Sequence, residues 1–214
     1  MSDHKDSKTH GIDKYHHFDD ANDAADQLKS VYADWANAYD DDNDNKFGTV
    51  SQPTTVEMLT RHCTNPQAVV MDVGCGTGLV GLHLHRAGFK TYDGTDISAE
   101  MMVHAKLRGY RKLLDLDPGA PLAAADDSYD ATLCVGVFTH GHLGPEGFGE
   151  LVRITKPGGL ICFTVNEGVW IPGKFEAAIN TLSAAGQWRI IEQEKRDYMV
   201  NESVQAIYIT ARKL

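Results

Sequence analysis

Two hydrophobic periods run along this chain and divide it. Between Ala24 and Tyr39, Leu28, Val31, Tyr32, Trp35 and Tyr39 fall at i, i+3, i+4, i+7 and i+11, one face of an amphipathic helix. A second helical stretch covers residues 53–62. Apolar runs of strand length then alternate with helix-length segments. Strands are expected at 68–73, 90–95, 111–114, 131–137 and 160–165. Helices are expected at 78–87, after the N-cap Ser98, at 147–154 and at 174–185, with Glu100 in a first turn favoured by the helix dipole. Lys156-Pro157-Gly158-Gly159 reads as the breaker that ends the third of these. The last two strands, 188–199 and 204–212, leave no room for a crossover helix, so they should form an antiparallel hairpin on the sheet edge. The pattern predicts an α/β fold: a doubly wound, Rossmann-like seven-stranded sheet, mostly parallel, with helices on both faces and a C-terminal antiparallel hairpin. It divides the chain into a polar tail at 1–20, a helical lid at 21–65 and a ligand-binding domain at 66–214.

Composition narrows the class. A chain of 214 residues suits one domain with a small appendage, burying about 70% of its unfolded surface without disulfide or metal staples. Cys63, Cys75, Cys134 and Cys162 are widely spaced with no CxxC pair, which suits reduced thiols and a cytoplasmic location. No apolar stretch is long enough for a bilayer span, and the start MSDHKDSKTH is unlike a signal peptide. The net charge of −10 argues against nucleic acid and leaves a small molecule as the expected partner. His4, His10, His16 and His17 have no metal-site spacing and read as part of a mobile tail. The run from Asp40 to Asn45 resembles a calcium loop, but position 6 is Asn45 and position 12 is Ser51, so a solvated acidic loop is expected instead.

The densest chemistry lies in VVMDVGCGTGLVG, which begins at Val69. A buried strand carries Asp72 near its end, and Gly74, Gly76 and Gly78 follow at alternate positions. Such a loop holds a ligand at the carboxyl edge of a parallel sheet. The segment GTGLVG matches a dinucleotide fingerprint, with Asp96 20 residues beyond Gly76. Yet Asp72-Val73-Gly74-Cys75 intervenes, placing a carboxylate where a pyrophosphate would be repelled, and no Lys-Ser or Lys-Thr supports a P-loop. A ligand with a cationic group near Asp72 and a ribose near Asp96 fits better. S-adenosylmethionine has both.

Four segments in order, DVGCGTG, GTDIS, DDSYDATLCVGV and KPGG, resemble the class I S-adenosylmethionine-dependent methyltransferases. More narrowly, YADWANAYD, FTHGHLGPEG and FTVNEGV resemble the methyltransferase-like group named for the Williams–Beuren syndrome region and its bacterial relatives. The resemblance implies an enzyme that takes a methyl group from S-adenosylmethionine and leaves S-adenosylhomocysteine. It implies that Gly74, Cys75, Gly76 and Gly78 pass beside the methionyl part, with Asp72 toward the amino group and Asp96 on the ribose hydroxyls. Ile97 and Met101 or Met102 would flank the adenine, Asp115 and the Leu116 backbone would meet its amino group, and Val135 and Gly136 would lie beneath. Asp117 competes with Asp115 for that place. Tyr39 and Tyr32 would touch the cofactor from the lid while Trp35 shapes the pocket.

In-line methyl transfer asks for alignment and, for a hydroxyl or ammonium acceptor, a base. His140 and His142 follow the fourth strand and are the candidates to orient or deprotonate a small-molecule acceptor. Asn166, Glu167, Trp170 and Tyr198 are further candidates for the acceptor pocket. A non-catalytic cofactor-binding protein and a nicotinamide-dependent oxidoreductase are the alternatives.

Overall fold

The structure, a computed structural model, describes residues 24–117 and 120–214; the expected tail at 1–20 lies outside the described residues. All seven expected strands form: β1 Val69–Val73, β2 Thr91–Asp96, β3 Leu113–Asp115, β4 Tyr129–Phe138, β5 Thr155–Asn166, β6 Trp188–Met199 and β7 Val204–Lys213. They order as β3-β2-β1-β4-β5-β7-β6 in one sheet. The pairs β2/β3, β1/β2, β1/β4 and β4/β5 are parallel, while β7 runs antiparallel to both β5 and β6. The chain direction out of β1 therefore reverses across the sheet, and β1 and β4 border the crevice where a ligand binds in open α/β sheets.

The strand period of two sorts the core onto two faces. Val70 of β1 and Leu133 of β4 pack beneath α3 (Ser51–His62), α4 (Leu79–Arg86) and α5 (Ala99–Ala105), whose Leu59, Leu84 and Ala105 join the same cluster. Met71, Val73 and Cys134 face the other way, toward α6 (Phe148–Ile154) and α8 (Phe175–Ala184). There Phe138, Phe148, Phe163, Phe175 and Trp188 form one aromatic cluster, with the Phe148 and Phe163 centroids 4.9 Å apart. A four-residue helix, α7 (Glu167–Trp170), follows β5 with Asn166 as its N-cap.

The segment expected to form a lid differs, ahead of its second helix, from the expected helix and acidic loop. It comprises α1 (Ala24–Trp35), the short helical turn α2 (Tyr39–Asp41) and a π-helical turn at Asp42–Phe47 that ends at left-handed Gly48. The run from Asp40 to Asn45 is thus helical rather than a solvated loop. Its polar groups find partners: Trp35 Nε1 donates to Asp42 at 2.7 Å, and buried Asn43 bonds to the Tyr39 carbonyl and the Thr49 hydroxyl. Beyond Phe47 the chain is stitched to the far end of β6 and the following turn by Val50 N to Tyr198 O and Val200 N to Gly48 O. The Lys156–Gly159 breaker also sits differently. Helix α6 already ends at Ile154, and the tetrapeptide lies within β5, its Gly158 at φ 79°.

One side chain ties β1, β2, α4 and α5 together. The Tyr110 ring lies in a slot where three glycines leave room. A Cβ on Gly81 would approach its hydroxyl to 2.7 Å, one on Gly94 its ring to 2.9 Å, and one on Gly78 would meet both the ring and the Ala105 backbone. Tyr110 donates to Asp72 at 2.5 Å and accepts from Gly81 N at 2.9 Å. Alanine ordinarily stabilises a helix interior relative to glycine by roughly 0.5–1 kcal/mol. At Gly81 the sign should reverse: Gly81→Ala should lower stability by about 1–3 kcal/mol in chemical denaturation, because its methyl must displace a packed ring.

Candidate active site

A cavity of about 430 Å³ opens at the carboxyl ends of β1, β2 and β4, under α1 and α2. Gly74 and Gly76 reach it from the glycine loop, Asp96 and Ile97 from the end of β2, and Met101 from α5. Leu116 and Asp117 border it after β3, Val135 and Gly136 from β4, and Tyr32 and Tyr39 from the lid. His142 borders it from the loop after β4. The structure thus brings together residues as far apart in sequence as Tyr32 and His142, 110 positions. Five other candidates lie outside the lining: Asp72, Cys75, Gly78, Asp115 and His140.

Each of the five has a local reason. Asp72 is fully buried beneath the loop, on the face covered by α3, α4 and α5, where Tyr110 meets it. The Cys75 side chain is buried beneath the loop as well, its sulfur 2.9 Å from where a Gly94 Cβ would stand. Gly78 serves the approach of α4 to α5 already described. Asp115 is exposed at the end of the edge strand β3, two residues before Asp117, which does border the cavity. His140 is exposed and lies over Gly168 at the start of α7, where a Gly168 Cβ would come within 2.5 Å of its Nε2. Asn166, Glu167, Trp170 and Tyr198 also lie off the cavity, Tyr198 being buried below Gly136.

The glycine loop is shaped for close approach. Gly74 takes φ 73° and Gly76 takes φ 53°, and a Cβ on Gly76 would meet nothing within 4 Å, so the open space there belongs to the cavity. Gly74 N and Cys75 N both donate to Thr95 O, which fixes the loop against β2. Asp96 holds it from the other side, accepting from Gly76 N at 2.7 Å and from Ser98 N at 3.0 Å. Burial raises the Asp96 carboxyl above its usual range, opposed by the N–H groups of Ser98, Gly76 and Ile97. The Leu116 N–H is committed to the Asp96 carbonyl at 2.9 Å.

Aromatic rings roof the site. Trp35 stacks on Tyr32 and meets Tyr39 edge-on at 4.7 Å, so it supports both tyrosines from behind without lining the cavity. The Tyr32 hydroxyl lies 2.8 Å from His142 Nε2, and His142 Nδ1 lies 2.7 Å from the His140 carbonyl oxygen. A carbonyl only accepts, so Nδ1 carries the proton; in the neutral ring Nε2 then accepts from Tyr32. Burial pushes the Tyr32 phenol well above its ordinary range, which keeps it a donor.

Two partners of this site carry no motif in the sequence. Tyr110 holds Asp72, and Arg108, from the 3-10 turn Lys106–Arg108, reaches Asp40 of the lid. Both follow α5 in the largely polar segment from Lys106 to Lys112, and only the fold brings them to the loop. Among the described residues no group of three or more His, Cys, Asp or Glu is arranged to hold a metal ion, and no helix is long and apolar enough to cross a membrane.

Comparison with known proteins points one way. Residues 71–163 match the family model described as Methyltransferase domain. The chain is 34% identical over 169 residues to human methyltransferase-like protein 27, covering 76% of this chain and 68% of that protein. It is 35% identical over 120 residues to malonyl-[acyl-carrier protein] O-methyltransferase of Pectobacterium atrosepticum, covering 55% of this chain and 46% of that protein. Magnesium protoporphyrin IX methyltransferase from Synechocystis, solved with bound S-adenosylhomocysteine, shares the fold with a TM-score of 0.61 at 16% identity, over 87% of this chain and 99% of that one.

Asp72 makes stability depend on pH in an unusual direction. Burial, helped by the charge of Asp96 and opposed by the Tyr110 hydrogen bond, raises its carboxyl from 3.8 to about 7. Between those values the folded state keeps a proton that the unfolded state has lost, so this group withdraws stability as pH rises. Asp72→Asn should therefore stabilise the ligand-free protein by an amount near zero at about pH 4, growing to on the order of 4 kcal/mol above pH 7. Denaturation of both proteins across that range measures it; a gap that stays constant with pH would refute it.

Proposed function

Because the chain belongs to the class I S-adenosylmethionine-dependent methyltransferases, we propose that it methylates a small-molecule acceptor by in-line transfer inside this lidded cavity. The bound cofactor supplies an electrophilic methyl group on a sulfonium. The observation that carries the assignment of roles is Asp96, a buried carboxylate at the cavity wall beside a glycine, Gly76, with open space where a side chain would be.

The residues fit the cofactor. Asp96 has acceptor capacity beyond its backbone bonds and would take the ribose hydroxyls. Gly74 and Gly76 would lie beside the methionyl chain. Asp72 Oδ1 is buried and has no hydrogen-bond partner, which suits a cationic amino group acting on it through the loop. Ile97, Met101 and Leu116 would flank the adenine, Asp117 would take the place first expected of Asp115, and Val135 and Gly136 would form the floor. Tyr32 and Tyr39 exclude water from above, which strengthens every polar interaction beneath them.

Acceptor chemistry follows from charge. The lining includes Asp96, Asp117, Glu146 and Glu150, and no Lys or Arg among the described residues borders the cavity. An acceptor bearing a carboxylate or phosphate would be desolvated there without a counter-charge, so a neutral or cationic small molecule fits. His142 is the imidazole on this side. An acceptor O–H or N–H that displaces the Tyr32 hydroxyl would donate to Nε2 and could pass its proton there while Nδ1–H stays on the His140 carbonyl. His140, turned toward α7, would not take part.

Calorimetry with S-adenosylhomocysteine should show one site per chain, with affinity about tenfold weaker or worse in Asp96→Ala. Methyl label from S-adenosylmethionine should pass to a neutral or basic fraction of a metabolite extract; label in the acidic fraction would overturn the charge reading. On the acceptor so found, His142→Ala should lower kcat by about 10²-fold while His140→Ala leaves it near wild type. Turnover that survives both changes would remove imidazole from the mechanism.

A further inference from the structure

The segment over the cavity touches the glycine loop through Asp40, Thr77 and Arg108. Thr77, between Gly76 and Gly78, is buried, and its hydroxyl donates to Asp40 Oδ1 at 2.6 Å. Arg108 donates through one guanidinium nitrogen to Asp40 Oδ2 and through the other to Thr77 Oγ1 at 3.3 Å. The three groups come from three parts of the chain: the lid turn α2, the loop after β1, and the 3-10 turn after α5. Asp40 directly follows Tyr39, which lines the cavity.

Both ends of this contact are anchored. The Arg108 carbonyl accepts from the Tyr92 hydroxyl at 2.8 Å, and left-handed Gly109 turns the chain into Tyr110, which grips Asp72. On the lid side, Asn43 bonds back to the Tyr39 carbonyl and the segment after Phe47 is stitched to β6. Between α1 and that stitched end, the Asp40 contact is the polar tie from α2 to the loop. The Arg108 and Asp40 side chains are partly exposed, so water and salt can compete for the pair.

We propose that Thr77 and Arg108 are positioning residues that latch the lid, through Asp40, over the glycine loop, so that cofactor exchange requires this contact to open. The idea rests on the cavity holding the cofactor as described above. Arg108 reaches neither the cavity nor any reacting group; it acts by holding Tyr39 in place. A planar guanidinium suits this task because it engages the carboxylate and the hydroxyl at once, which an ammonium does less well.

The test is the release rate of S-adenosylhomocysteine from the full chain, followed by stopped-flow tryptophan fluorescence, beside hydrogen exchange of residues 39–47 in the ligand-free protein. Arg108→Ala and Asp40→Asn should each speed release about tenfold. The double variant should be no faster than either single one, because both remove the same contact. Arg108→Lys should recover part of the effect. Raising salt should speed release from the wild type but not from Arg108→Ala. Exchange at 39–47 should rise in the variants while β1 and β4 stay protected. A lower melting temperature with unchanged release and unchanged lid exchange would mean that the pair only supports the fold, and would overturn the proposal. If the wild type binds no S-adenosylhomocysteine, the cofactor assignment fails instead, and the exchange measurement decides the latch alone.

Discussion

The structure hangs on a hydroxyl. Tyr110 donates to Asp72 and accepts from the first turn of α4, with its ring held where Gly78, Gly81 and Gly94 lack side chains. Without that donor, Asp72 would stand on a buried strand with neither oxygen satisfied, since its other oxygen already lacks a partner. An unsatisfied buried carboxylate costs several kcal/mol or surrenders its charge, and here the carboxyl is already pushed up to about 7. The same slot lets the start of α4 approach α5 closely, at Gly78 and Ala105.

This arrangement explains why the loop holds its shape without a ligand. Thr95 O takes two of its N–H groups and Asp96 takes a third, so three of the loop's backbone donors are spent on β2, while Gly78 N turns back to Cys75 O. What remains open is space at Gly76 and acceptor capacity at Asp96. A loop built to cradle a phosphate would do the opposite and leave its N–H groups free. The loop's hydrogen bonding therefore favours a ligand that donates hydrogen bonds and carries positive charge, in line with the carboxylates that border the cavity.

Much of this was legible in the chain, and the reasons are physical. Strand and helix periods are local, so all seven strands, the Ser98 cap and the closing hairpin appear where alternation and turn chemistry put them. The acidic run after Tyr39 was not legible. Six polar residues in a row look solvated, and only the arrival of Trp35, Thr77 and Arg108 from elsewhere makes them helical and partly buried. The breaker at Lys156–Gly159 follows a helix that ends at Ile154, as expected, but it also enters β5: glycine and proline are accepted where the register of β5 against β4 shifts, between Thr155 and Leu160.

Local chemistry alone determined that a sulfonium cofactor fits better than a pyrophosphate, because Asp72 and the spacing of Gly74, Gly76 and Asp96 are sequential facts. Tertiary structure decided which side chains share the cavity. Asp72 and Asp96 look equivalent in sequence, yet the strand period buries the first beneath the loop while the end of β2 brings the second to the wall. His140 and His142 differ by two positions, and the turn after β4 sends one over α7 and the other to Tyr32. Arg108 and Tyr110 carry no motif at all. Their roles exist only because α5 ends where the lid, the loop and the buried carboxylate meet, and no local pattern encodes a meeting of segments nearly seventy residues apart.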